Sequence, residues 1–367
     1  MWMTGAQVNI VIAAGGTGGH LYPAIALAKE FQRQDRENMV TFIGSGKQLE
    51  NSILAHEGFS VAHIHVKGIV GRGLWASLKN VCLLPKAVWQ SMKILRDRSA
   101  DLVIGTGGYF SPPVVCAAAL LKIRRIIMEP NAVPGLANRV VGPIADRVFL
   151  AFDGAKHYFH EAKVRVVGTP VREEFFRETT ARQQGGKDTL LVFGGSQGAK
   201  AINTAVIDAL KASSIMRETF AVIHQTGEVD HERVKAAYAS SGVDVEVVPF
   251  LYDMPQVLQA ATLVVARSGA GTLAELAVCG KPSILVPYPH ATHNHQEHNA
   301  RAVEQTGAAV VILEAELTGQ RLAHEIERLM SHPERLGEMG AKSFAGRKVD
   351  ATALMIQECR DLMNAMV

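Results

Sequence analysis

Apolar runs of roughly four to seven residues alternate with amphipathic stretches along the whole chain. VNIVIA precedes PAIALAKEFQRQ and MVTFIG; DLVIGTG precedes PPVVCAAALL, RRIIME, RVFLAF and VRVVG. After Gly186 the rhythm restarts with TLLVFGG, AINTAVIDALKA, FAVIHQTG, VEVVPF, LVVARSG, TLAELAV, SILVPY and AAVVI. Continuous Val/Ile/Leu strands between amphipathic helices predict parallel sheets covered on both faces, the α/β doubly wound arrangement, used here twice. Between Arg172 and Thr189 the segment EEFFRETTARQQGGKD is polar and ends in a glycine pair, the profile of a linker. The expected domains are therefore residues 1–172 and 173–349. Leu354, Ile356, Cys359 and Met363 at near-helical spacing predict a last helix over 350–367 that packs back on the first domain.

Composition agrees with this picture and narrows it. The 367 residues suit two domains, and 48% apolar with 20% charged residues excludes disordered, collagen-like and coiled-coil chains. No apolar run reaches the ~20 residues that span a bilayer. Met1 leads into the strand-like VNIVIAA without a basic leader, so no signal segment is expected. Cysteines 82, 116, 279 and 359 form neither a CxxC pair nor a metal-ligand spacing, which suggests a reduced, cytosolic protein. The net charge of +3 conceals an asymmetry: residues 1–172 hold 20 Lys and Arg against 11 Asp and Glu, and residues 173–367 hold 18 against 24. A basic half and an acidic half imply different partners.

The candidate chemistry lies in four glycine turns at strand ends: Gly15–His20, Gly105–Tyr109, Gly194–Gly198 and Arg267–Thr272. Such turns let backbone N–H groups face an anion, helped by the dipole of the following helix. Any one could be no more than a tight strand-to-helix turn. Four together point to ligands at the carboxyl ends of the strands. Neither Gly16–Leu21 nor Gly194–Ala199 fits the dinucleotide fingerprint GxGxxG, and GxxxxGK[ST] is absent. Phosphate binding remains; NAD and ATP lose ground.

GGTGGH, GTGGYFSPP, EPNAVPGLAN, GTPVR, FGGSQGAKAIN, RSGAGTLAE and HNHQEHNA follow one another in this order over nearly the whole chain. Together they resemble the MurG family, which transfers N-acetylglucosamine (GlcNAc) from UDP-GlcNAc to undecaprenyl-pyrophosphoryl-MurNAc-pentapeptide in bacterial peptidoglycan synthesis. The resemblance implies a GT-B fold, two Rossmann-like domains facing across a cleft, the donor mainly on the C-terminal domain and the lipid-linked acceptor on the N-terminal one. It implies no cofactor. By this resemblance Ser196 and the N–H groups of Ala270, Gly271 and Thr272 meet the donor pyrophosphate, with Leu273 and Ala274 beside them. Glu275 takes the ribose hydroxyls, the Leu251 backbone reads the uracil edge, and Gln296 contacts the sugar with His295 beside it. Thr17, Gly18, Gly19, Asn131 and Arg172 complete the donor contacts. Gly16, Gly107, Gly108 and Tyr109 would meet the acceptor. The chain departs from the family's usual HEQN and GNPVR, having Met128-Glu129-Pro130-Asn131 and Gly168-Thr169-Pro170. Plainer roles exist for Glu275, as a solvent-facing helix charge, and for Arg172, as a surface ion pair.

His20, at the end of the first glycine turn, is the candidate general base, because its ordinary pKa near ~6.5 suits proton abstraction at neutral pH. A phosphate-contacting or capping role competes with that reading. His290, His293, His295 and His298 would need to converge on one point to bind a metal, and an Asn-interrupted loop does not favour this. Residues 67–98 hold seven Lys and Arg, one acid and two Trp. Leu74, Leu78, Val81, Val88, Met92 and Leu95 form a core-type stripe. Beside it Trp75, Lys79, Cys82, Lys86, Trp89, Lys93 and Arg96 suit an anionic lipid surface, with Pro85 implying a kink or two helices. A core helix with a solvated basic side is the plainer alternative, and no nucleic-acid motif accompanies the charge. The expectation is a peripheral protein on the cytoplasmic face of the inner membrane. A nucleotide-sugar epimerase, a non-catalytic nucleotide-sugar binding module or another lipid-directed GT-B transferase are the alternatives.

Overall fold

Among the described residues every strand lies in one of two all-parallel sheets, each within its own compact unit. The computed structural model describes residues 7–15, 18–44, 46, 48–66, 83–177, 187–239, 244–348 and 351–365. The units are Met1–Arg172 with Asp350–Val367, and Glu173–Val349.

The first unit contains β1 (Asn9–Ala13), β2 (Met39–Gly44), β3 (Ser60–His63), β4 (Leu102–Gly105), β5 (Arg124–Glu129), β6 (Arg147–Leu150) and β7 (Val164–Val166), in the order β3-β2-β1-β4-β5-β6-β7. Ile12 pairs with Phe42 on one side and Ile104 on the other. Successive side chains leave a strand on opposite faces. Ile10 and Ile12 therefore join the core formed with helix Gly18–Gln34, whereas Val11 and Ala13 join the core that includes Leu95 and Val114 from helices Leu84–Asp97 and Ser111–Leu120. Helix Ala351–Asn364 lays Met355, Ile356, Cys359 and Leu362 on the first of these cores. Pro85 sits in the first turn of helix Leu84–Asp97, where its missing N–H costs no helical bond, so it opens that helix rather than kinking it.

The second unit repeats the pattern with β8 (Asp188–Phe193), β9 (Phe220–Gln225), β10 (Val245–Val248), β11 (Leu263–Ala266), β12 (Ser283–Leu285) and β13 (Ala309–Val311), in the order β10-β9-β8-β11-β12-β13. Leu190, Val192, Leu263 and Val265 meet Ile202 and Val206 of helix Lys200–Ala212 and Leu322 and Ile326 of helix Gly319–Met330. The polar segment read as a linker is not free throughout. Glu173–Phe175 forms a 3-10 turn and Phe175 is buried in this unit, its carbonyl accepting from Gln259 Nε2 at 3.1 Å. Part of that segment, residues 178–186, lies outside the described residues.

In both units the chain winds outward in two directions from a central pair, β1/β4 and β8/β11. Ligands of open α/β sheets bind where the strand order reverses, beyond the carboxyl ends of those strands.

Candidate functional site

In the first unit the reversal point is walled by the turns after β1, β4 and β5. Gly16 and Thr17 lie outside the described residues, as do Trp75 and Lys79. Gly18, Gly19 and His20 are the opening residues of helix Gly18–Gln34, and the His20 ring lines a small cavity with Thr106, Glu129, Gly168 and Met355. After β4, Gly107 and Gly108 have φ of +93° and +68°, a left-handed pair that carries the chain sharply into helix Ser111–Leu120. The Ser111 hydroxyl accepts from Gly107 N at 3.0 Å, and Thr106 donates both N–H and hydroxyl to Ala13 O, tying the ends of β1 and β4 together. A methyl group at Gly107 would come within 3.3 Å of His20 Cε1 and 3.4 Å of Asn138 Nδ2. Tyr109 is half-buried, its ring 3.9 Å from that of Phe110 between centroids.

Glu129, at the carboxyl end of β5 and 2% exposed, organises the next loop. Its carboxylate accepts from Asn131 N at 3.0 Å, Asn131 Nδ2 at 2.9 Å, Gly135 N at 2.9 Å and Asn138 Nδ2 at 3.0 Å. Burial pushes its carboxyl up from the ordinary range, and these donors pull it back. Asn131 is thus held on this loop by backbone and side chain alike. Arg172, at the end of the unit, lies over the Tyr22 ring at 5.0 Å. A second buried acid, Glu50, covers the ends of β1 and β2: a methyl at Gly15 would meet its Oε2 at 3.1 Å.

In the second unit the turn after β8 exposes Ser196. Gly195 and Gly198 have φ of +86° and +72°, and helix Lys200–Ala212 starts only after Ala199. Gly195 O accepts from Gly198 N at 2.9 Å and from the buried Gln225 Nε2 at 2.8 Å. Behind this turn lies a buried polar cluster. His224 bonds to Tyr238 Oη at 3.0 Å and Asn203 Oδ1 at 3.1 Å, and Asn203 Nδ2 donates to Thr226 O at 3.0 Å and Asp230 at 2.7 Å. Burial lowers the His224 pKa to about 3, so its imidazole is neutral.

Helix Ala270–Val278 follows β11 with Gly269 at its N-cap, so the N–H groups of Ala270, Gly271 and Thr272 are those that a helix start leaves free for an anion. Leu273 is buried, Ala274 is half-buried, and Glu275 sits on the same helix, also half-buried. The Leu251 side chain is buried, in the segment that follows β10. Gln296, in the first turn of helix His295–Gln305, accepts from Tyr288 N through Oε1 at 3.0 Å, and the adjacent His295 Nδ1 is 2.8 Å from Thr292 O.

The Glycosyltransferase family 28 N-terminal domain matches residues 10–150, and the family's C-terminal domain matches residues 189–355. The UDP-N-acetylglucosamine–N-acetylmuramyl-(pentapeptide) pyrophosphoryl-undecaprenol N-acetylglucosamine transferase of Syntrophus aciditrophicus is 44% identical over 358 residues, covering 97% of this chain and 99% of that one. The chain belongs to the MurG family. A crystal structure of MurG from Acinetobacter baumannii, 30% identical, superposes with a TM-score of 0.78 over 98% of this chain and 100% of that one. The fold is accordingly GT-B, two parallel-sheet Rossmann-like domains. UDP-GlcNAc 2-epimerase from Neisseria meningitidis, bound to UDP-GlcNAc, shares that fold at 12% identity, with a TM-score of 0.67 over 96% of this chain and 98% of that one.

Within the MurG-family frame, the motifs EPNAVPGLAN and RSGAGTLAE already contained Glu129, Asn138 and Arg267, but nothing in their spacing revealed what each one holds. Glu50, Gln225 and Glu314 escaped sequence reasoning altogether. An acid placed next to a glycine turn was the only local signal, at Glu50.

Proposed function

We propose that the protein is the inverting transferase that moves GlcNAc from UDP-GlcNAc to the MurNAc C4 hydroxyl of undecaprenyl-pyrophosphoryl-MurNAc-pentapeptide, the step that completes the lipid-linked disaccharide of peptidoglycan. The observation that carries this reading is the 44% identity to a transferase of that name over 97% of the chain. The two phosphate-type turns and the free helix start at Gly269 agree with it.

In the proposed step, His20 takes the proton of the C4 hydroxyl as that oxygen attacks the anomeric carbon. The new C–O bond forms on the face opposite UDP, the bond from the anomeric carbon to the diphosphate breaks, and UDP leaves with both electrons. Backbone N–H groups at Ala270–Thr272 and the Ser196 turn are the groups suited to the charge that develops on the diphosphate. Glu275 accepts from the ribose, the Leu251 backbone reads uracil, and Gln296 contacts the sugar. Asn131 and Arg172 add contacts from the first domain, as do Gly18 and Gly19. Gly107, Gly108 and Tyr109 form part of the acceptor side.

We further propose that helix Leu84–Asp97 seats the first domain on anionic lipid at the cytoplasmic face. Trp89 is 65% exposed, and Lys86 and Lys93 flank it on the same exposed face. Among the described residues no helix is long and apolar enough to cross a membrane.

The test is a transfer assay with labelled UDP-GlcNAc and a short-chain lipid-linked MurNAc-pentapeptide, run beside a control lacking the acceptor. A labelled lipid disaccharide that appears only with acceptor is the expected result. Isomerised sugar in the control would replace this reading by epimerisation, and donor binding without transfer would redirect it to other acceptors.

A further inference from the structure

The second domain contains a chain of contacts that starts at Glu314, 47 residues along the chain from Arg267, the residue that opens the fourth glycine turn. Arg267, at the end of β11 and 8% exposed, pairs through Nη2 with Glu314, which opens the 3-10 turn Glu314–Glu316 after β13. Through Nη1 the same guanidinium donates to Val286 O at 3.1 Å and Pro287 O at 3.0 Å, and it lies 5.3 Å from the centroid of the Tyr288 ring. Tyr288 N then donates to Gln296 Oε1 at 3.0 Å. Ser268, next to Arg267, donates its hydroxyl to Gln296 O at 2.7 Å, and its backbone carbonyl accepts from Asn299 Nδ2 at 3.4 Å.

The direction of one bond matters. A backbone N–H can only donate, so the atom of Gln296 that faces Tyr288 is its carbonyl oxygen, and the amide nitrogen points the other way. The carbonyls of residues 286 and 287 are clamped by a rigid guanidinium fork. That fork is in turn held by a carboxylate whose removal would leave a buried cation without its counter-charge.

We propose that Glu314 is a positioning residue for the donor sugar: it fixes Arg267, Arg267 fixes residues 286–288, and Tyr288 N–H orients Gln296 so that its amide donates to a sugar hydroxyl acceptor. Glu314 touches no substrate itself. The inference rests on the reading of the protein as a UDP-GlcNAc transferase, and it deepens that reading by naming what sets the polarity of the sugar contact.

The experiment compares the dissociation constants of UDP and UDP-GlcNAc for the wild type, Glu314→Gln and Glu314→Asp, with KM and kcat for the donor alongside. UDP lacks the sugar and reports the nucleotide end alone. For Glu314→Gln the expected result is UDP binding within about twofold of wild type and UDP-GlcNAc binding weakened about fivefold to tenfold, the effect of one misdirected hydrogen bond. KM should rise by a similar factor, and Glu314→Asp, which keeps the charge, should restore most of the loss. Gln296→Glu keeps the acceptor for Tyr288 N–H but removes the donor. It should show the same selective loss in the wild type and add little in the Glu314→Gln background, and it carries the test should Glu314→Gln fail to fold. If either variant weakens UDP and UDP-GlcNAc equally, or neither of them, the inference is overturned while the functional reading stands. A wild type that binds neither nucleotide overturns both.

Discussion

At the residue scale, Gly195 and Gly198 in the turn after β8 are not equivalent. A methyl at Gly198 would stand 1.8 Å from Thr226 O, and one at Gly227 would stand 2.1 Å from Gln197 O, so the two loops touch backbone to backbone. At Gly195, with φ +86°, nothing lies within 4 Å of the methyl position. Gly195→Ala should therefore cost only the left-handed penalty, about 1–2 kcal/mol, whereas Gly198→Ala must also part the two loops and should cost clearly more. Urea titrations of both variants check this; equal losses would mean that the loops are not in contact. His20→Ala should reduce kcat by about 10²-fold or more while UDP-GlcNAc binding stays within a few-fold, and an unchanged kcat would remove His20 from proton transfer. His224 gives a pH signature. Burial, outweighing the charge of Asp230, depresses its folded pKa to about 3, so the unfolded chain takes up a proton that the folded one refuses. Stability from this group is complete above the ordinary 6.5 and falls with pH below it, by up to about 1.4 kcal/mol per unit. Asp230 is also lowered, first by its bond to Arg233, and acts only below its ordinary 3.8. The slope of melting temperature between about pH 6 and about pH 4.5 should thus be shallower in His224→Gln than in the wild type. Of these residues Gly195 and Gly198 were legible in the sequence, because a turn after a strand is a local pattern, whereas Gly227 was not among the turns it singled out. The partners of His224 and of Arg267 were not, since Asn203 and Glu314 are 21 and 47 residues away along the chain.

At the element scale, the last helix shows which forces hold a segment to its domain. Ile356 and Cys359 are 1% and 0% exposed against helix Gly18–Gln34 and the sheet beneath it. Glu358 on the same helix pairs with Arg165 at 2.8 Å and Arg147 at 3.4 Å, with a quarter to a third of these side chains exposed. Partly solvated ion pairs contribute little, whereas emptying a buried aliphatic site removes both transfer energy and packing. Ile356→Ala should cost about 2–4 kcal/mol and Glu358→Gln less than about 1 kcal/mol in denaturant unfolding. A larger loss from Glu358→Gln would make the ion pairs, not the apolar face, the attachment. The strands of both units were legible from periodicity except β3, Ser60–His63, whose exposed and half-buried residues leave no continuous apolar run. Phe175 was misjudged because its neighbours are charged: one buried aromatic in a polar segment leaves no periodic trace. The opening role of Pro85 was likewise ambiguous, as a proline marks a boundary without saying on which side the helix lies.

At the scale of the whole molecule, the charge asymmetry gives the membrane proposal its sharpest form. The half that includes helix Leu84–Asp97 carries 20 Lys and Arg against 11 acids, and the other half carries 18 against 24. Only the first is attracted to an anionic surface. On its helix Ala87, Ser91 and Leu95 are buried, so Lys86, Trp89 and Lys93 are left on the outer side. A cation near an anionic leaflet contributes about 1 kcal/mol, and an exposed indole settles at the headgroup level. Trp89→Ser, and Lys86→Ala with Lys93→Ala, should each lower partitioning to anionic vesicles several-fold while UDP-GlcNAc binding in solution is unchanged. The lysine effect should fade at high salt and the tryptophan effect should not, because screening acts on charge and not on apolar burial. Binding to vesicles that is insensitive to all three substitutions would make this face an ordinary solvated helix side. Transfer to a lipid-linked acceptor would then depend on a surface elsewhere in the protein.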